Sequence, residues 1–132
     1  MSHARTMGFV AALACLLPAA SVGQIPADLQ AAMRARDSAV AKPDPAAWDR
    51  LTADGFSVVR EDGSLMTKAE RLAQLKTDQP TAATPQEHLD IKHYQDVYLR
   101  RFLSGGSWIL DIWAKDARGW RVVAVQVTTA KK

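Results

Sequence analysis

The chain has 132 residues and a formal net charge of +3, a length that suits one domain. No basic stripe with interleaved aromatic residues appears, which argues against nucleic acid as a partner. Cys15 is the only cysteine, so no disulfide forms within the chain.

The first 23 residues read as an export signal. Arg5 lies in a short basic start, Met7 to Ala20 is mostly apolar, and Ser21 and Gly23 stand where a signal peptidase reads small side chains. Cleavage is expected after Gly23, leaving residues 24–132 as a single domain in the periplasm or outside the cell. The apolar run is shorter than the roughly 20 residues that span a bilayer, so no membrane association is expected once it is removed. Its alternative is a retained N-terminal anchor. Cys15 would be the acylation site of a lipoprotein, but Ala12 stands where leucine is expected. The trimmed chain carries 16 basic and 14 acidic residues and no cysteine. Lys131 and Lys132 supply its whole excess charge.

A helix is expected from Pro26, with Asp28 in its first turn and Leu29, Met33 and Val40 near one face. Pro43 should stop it. Asp44-Pro45 reads as an N-cap followed by proline at the first helical position. That second helix is expected to run past Trp48 and Leu51 to Asp54-Gly55. Phe56 to Arg60 is a short strand, and Glu61-Asp62-Gly63 its turn. Thr67-Lys68-Ala69-Glu70 matches a capping box, which opens a third helix over residues 68–76.

Two prolines place residues 78–86 in a loop. Strands are expected over 87–95 and 97–103, and Ser104-Gly105-Gly106 turns into a closing hairpin. Its first strand, Ser107 to Lys115, is apolar on both faces; its second begins at Trp120, after Asp116-Ala117-Arg118-Gly119. A strand apolar on both faces must be covered on both. Helices followed by a meander of strands indicate an α+β fold.

Asp54-Gly55-Phe56, Glu61-Asp62-Gly63, the capping box, and the hairpin Leu110-Asp111-Ile112-Trp113 with Trp120-Arg121-Val122-Val123-Ala124 together resemble the DUF4440 branch of the NTF2-like (SnoaL-like) superfamily. The resemblance spans residues 27–129. It implies three N-terminal helices packed into a strongly curved antiparallel sheet and a conical pocket between the two layers; the two-sided apolarity of residues 107–113 adds the expectation of a homodimer through the outer sheet face. Enzymes of the wider superfamily, among them ketosteroid isomerases, polyketide cyclases and limonene epoxide hydrolases, use aspartate, tyrosine or histidine in that cone.

Within this frame Asp111 is the one candidate for catalysis, because a carboxylate inside an apolar strand must be paired, hydrogen-bonded or facing a wet cavity. Strand alternation groups it with Ile109 and Trp113. A raised pKa would fit it for general acid or base work; a structural role would pair it with Arg101 or Arg121. Trp48, Asp111, Trp113 and Gln126 are the candidate ligand-binding residues. Trp48 follows from its helix facing the cone in the related fold, and Gln126 from being an uncharged polar group inside an apolar run. His88 and His93 are five apart on one strand and point to opposite faces unless a bulge intervenes, so no metal site is expected. No phosphate loop or dinucleotide fingerprint is present, and no cofactor is expected. Three functions are compatible with these residues. The leading one is binding of a small apolar or amphipathic molecule in the cone. The others are an isomerase, cyclase or hydratase using Asp111, and a dimeric interaction module whose cone is filled.

Overall fold

A computed structural model of the chain describes residues 25–132. The expected leader over residues 1–23, with Cys15, lies outside the described residues.

Helix α1 (Ala27–Ala41) buries a stripe of Leu29, Met33, Arg36 and Ala39. It ends before Pro43, as the residue order requires. Asp44 caps α2 (Pro45–Arg50), its carboxylate accepting from the Ala47 amide at 3.0 Å. This helix is shorter than its sequence pattern indicates. The Val122 amide donates to the Leu51 carbonyl at 2.9 Å, so sheet pairing takes over the backbone directly after Arg50. Asp54 and Gly55 therefore lie in strand β1 (Thr52–Val59). A short strand, β2 (Leu65–Thr67), follows the turn and pairs antiparallel with β1. Thr67 and Glu70 then close both halves of the capping box that starts α3 (Lys68–Leu75).

Strands β3 (Glu87–Tyr94), β4 (Val97–Ser104), β5 (Ser107–Asp116) and β6 (Gly119–Thr129) form the antiparallel meander. The six strands are ordered β2-β1-β6-β5-β4-β3. One pairing corrects the expectation of a purely antiparallel sheet: β1 runs parallel to β6. The chain between them, α3 and four strands, is long enough for a parallel return. Register shifts interrupt the β1–β6, β3–β4 and β5–β6 ladders. Such bulges bend a sheet and raise its twist, giving the concave face that receives the helices. Leu29, Met33, Trp48, Phe56, Leu75, Trp113 and Val122 fill the space between helices and sheet. Trp48 meets Phe56 edge to face at a centroid distance of 5.3 Å.

Candidate functional site

Arg100 and Asp111 are directly opposite one another on β4 and β5, so their side chains share a face. That face is concave: Tyr98, Phe102 and Trp113, which alternate with the same parity, are all buried. Asp111 itself is only 2 % exposed and is held from two sides. Arg100 donates from Nε to both carboxylate oxygens at 3.1 Å and from Nη2 to Oδ2 at 2.5 Å. The Trp113 indole donates to Oδ1 at 2.9 Å. Arg100 then reaches across to α1, where Nη1 and Nη2 donate to the two oxygens of Asp37 at 2.7 and 2.9 Å. Burial alone would lower the affinity of Arg100 for its proton, but hydrogen bonds and charge from Asp37 and Asp111 outweigh it and raise its pKa. One guanidinium thus bolts the helix layer to the sheet.

The sequence pointed to Arg101 or Arg121 as partners of Asp111, and neither is one. Arg101 faces the convex side and pairs with Asp90 at 3.1 Å. Arg121 pairs with Asp116 and lies 3.7 Å from Asp54. The signal for Arg100 was its position between Tyr98 and Phe102 with period-two spacing, which marks an inward-facing arginine.

Above this network lies a cavity of about 540 Å³ between α1, α2, the 81–86 segment and the concave sheet. Its inner walls are Trp48, Phe56, Val58, Phe102, Ile109, Val125 and Val127. The 81–86 segment is pinned beside α1: the Thr81 backbone amide donates to the Ala41 carbonyl at 2.8 Å and the Gln86 side-chain Nε2 to the Asp37 carboxylate at 3.0 Å. The cone is therefore not filled by side chains.

Trp48 and Asp111 both line this cavity, whereas Trp113 and Gln126 do not. Trp113 is fully buried beneath it and acts on Asp111 by donating its indole hydrogen. Gln126 is exposed. The reason is a β-bulge: Trp113 pairs with Val122 but Ile112 pairs with Ala124, leaving Val123 as an extra residue in β6. Alternation counted from Trp120 and Val122 slips by one past Val123. Val125 and Val127 then face the cone, and Gln126 faces away.

Arg36 is the residue the sequence reading missed. It follows Met33 by three and precedes Val40 by four, placing an arginine on the buried stripe of α1. It is only 7 % exposed, and its guanidinium lies 5.1 Å from the Trp48 ring centroid and 5.5 Å from that of Phe56. Its one hydrogen bond among the described residues is from Nε to the Thr52 hydroxyl at 3.4 Å, and that hydroxyl donates in turn to the Trp48 carbonyl at 2.6 Å. Among the described residues no carboxylate forms an ion pair with it. Desolvation pushes its pKa down to about 10, with Asp111 and Asp37 offsetting part of that from a distance.

His88 and His93 do lie on a strand with a register shift, yet at opposite ends of it. His88 is 6.0 Å from the Trp108 ring, and His93 stacks on Tyr98 at 4.2 Å. Among the described residues no three acid, histidine or cysteine side chains cluster as metal ligands, and no helix is long and apolar enough to cross a membrane.

Solved structures match this architecture over most of its length. An NTF2-like protein from Cytophaga hutchinsonii superposes with a TM-score of 0.70 at 16 % identity, over 76 % of this chain and 94 % of that one. The fold is NTF2-like. A second NTF2-like protein, from Rhodospirillum rubrum and described as of unknown function in nutrient uptake, gives a TM-score of 0.66 at 15 % identity, covering 78 % and 98 %. A putative Ca/calmodulin-dependent kinase II association domain from Exiguobacterium sibiricum gives 0.70 at 16 % identity, covering 83 % and 99 %. No protein-family model and no curated protein matches the sequence. At these identities the likeness carries the NTF2-like fold alone, so activity has to be argued from the cone.

Proposed function

We propose that this NTF2-like chain is an exported binding domain that holds a small amphipathic molecule in its cone, and that it belongs to the DUF4440 branch. The observation that carries the binding reading is the 540 Å³ cavity itself, apolar on the sheet side and bordered by charged groups on the α1 side. Most ligand sites combine apolar walls with a few convergent polar groups in a cavity of this size. The period-two aromatic and aliphatic positions of β4 to β6, with the bulge at Val123, build those walls.

Binding is favoured over acid or base catalysis by Asp111. Four hydrogen bonds from Arg100 and Trp113 converge on its two oxygens, so it is engaged in holding the fold rather than poised for a proton. A general base needs hydrogen-bond reach to a substrate proton.

The outer sheet face supports a homodimer as well. Leu99, Leu103, Trp108, Leu110 and Ile112 lie on the convex side and are partly exposed, with none of the described helices over them. Export rests on the leader pattern of residues 1–23.

N-phenyl-1-naphthylamine, a neutral dye that fluoresces in apolar surroundings, tests the binding reading. It should bind the wild type with micromolar affinity, and Ile109→Phe, which fills the cone from β5, should weaken it at least tenfold while circular dichroism stays native. Equal dye binding by wild type and Ile109→Phe would place the site elsewhere and end the proposal.

A further inference from the structure

Arg36 tells more about the occupant than the cavity's size does. Cations on this cavity are otherwise accounted for: Arg100 is shared between Asp37 and Asp111, Arg71 pairs with Asp78 at 2.7 Å, and Lys42 is exposed at the rim. Arg36 is buried against two aromatic rings, and among the described residues it hydrogen-bonds only through Nε. Among the described residues its terminal nitrogens make no hydrogen bond, and Arg36 lines the cavity. A buried cation without a partner is costly. Thr52 and the two rings fix its orientation without neutralising it. The free edge of an arginine presents two parallel N–H donors, which match the two oxygens of a carboxylate.

We propose that the cone selects an anion: a small molecule with one carboxylate, or an equivalent oxyanion, bound by Nη1 and Nη2 of Arg36, and an apolar body against Phe102, Ile109, Val125 and Val127. This rests on the cone being a ligand site. Asp37 and Asp111 face the same cavity but both accept hydrogen bonds from Arg100, so the cation with free donors at the inner end is Arg36. The Trp48 and Phe56 rings shield the guanidinium from water, which strengthens a charge-assisted bond formed there.

The test compares 2-naphthoate with 2-naphthamide, nearly the same shape with and without the charge, by calorimetry and by displacement of N-phenyl-1-naphthylamine. Naphthoate should bind the wild type at least tenfold more tightly, and Arg36→Met should bring the two within threefold of each other by weakening naphthoate alone. Equal affinities in the wild type, or a naphthoate preference that survives in Arg36→Met, would overturn the anion assignment while dye binding leaves the cone reading intact. Failure of the dye and both naphthyl compounds to bind would overturn both. The wild-type comparison stands by itself should Arg36→Met fold poorly.

Discussion

Replacing Arg36 by methionine should stabilise the empty protein, an unusual result for a buried residue. Burial lowers the pKa of Arg36 well below the ordinary arginine value, to about 10. At about 1.4 kcal/mol for each tenfold change in proton affinity, holding the charge there costs about 3 kcal/mol. Against this stand the contacts of the guanidinium with Trp48 and Phe56, worth about 1 kcal/mol together. Its 3.4 Å bond to Thr52 is weak, and the Thr52 hydroxyl keeps its 2.6 Å bond to the Trp48 carbonyl after the change. Methionine retains an unbranched chain of similar reach against the rings. The net expectation is a gain of about 1–2 kcal/mol, or a melting temperature roughly 4–10 °C higher for a domain of this size. The sign of the pH dependence follows from the lowered pKa. Both folded and unfolded wild type are charged at Arg36 below pH 10, so the full cost is present there. As pH rises through about 10 the folded form sheds its proton first, and the advantage of Arg36→Met shrinks. Thermal and urea unfolding of both proteins without ligand, at pH 7 and pH 10.5, measure this. A loss of stability of about 1 kcal/mol or more at pH 7 would refute the reasoning, because it would mean that Arg36 is already neutralised inside the fold.

Three further expectations are independent of that one. Asp111→Asn should lower stability by roughly 3–5 kcal/mol in urea unfolding, because Arg100 loses the inner of its two counter-charges at a fully buried position; a change within about 0.5 kcal/mol would return Asp111 to the list of functional acids. Sedimentation at micromolar concentration should give the dimer mass, and a Leu110→Glu variant the monomer mass, since Leu110 lies mid-strand on the convex face; a wild-type monomer would remove the dimer. Mass spectrometry of the protein from its native host should give a chain beginning at Gln24, and an intact Met1 terminus would contradict export.

Local chemistry was legible in the sequence where it is decided by neighbours in the chain. Asp44-Pro45 capped α2 and Thr67 with Glu70 opened α3, because both devices are complete within four residues. The meander and the grouping of Asp111 with Ile109 and Trp113 on one face followed from turns and alternation, whereas which face is concave depends on the helices packed against it. What failed was non-local. The end of α2 and the start of β1 are set by β6, which pairs with Thr52 from 70 residues away. Gln126 faces away because one extra residue, Val123, reverses the parity of everything after it, and a bulge leaves no mark in the apolar run from Val122 to Val125. Arg36 and Arg100 carried usable signals, each being a charge at a core-facing position of its own element. Arg100, not Arg101 or Arg121, partners Asp111 because it stands directly opposite on β4 and shares its face.

The cone as an anion site can be tested most directly by nuclear magnetic resonance of the labelled full domain titrated with 2-naphthoate. The account predicts that the Arg36 guanidinium signals and the Trp48 indole signal shift together and saturate, while the side-chain amide of Gln126, on the opposite face of the sheet, stays fixed. Saturable shifts that gather on Gln126, Trp108 and Leu110 while Arg36 and Trp48 do not move would contradict it.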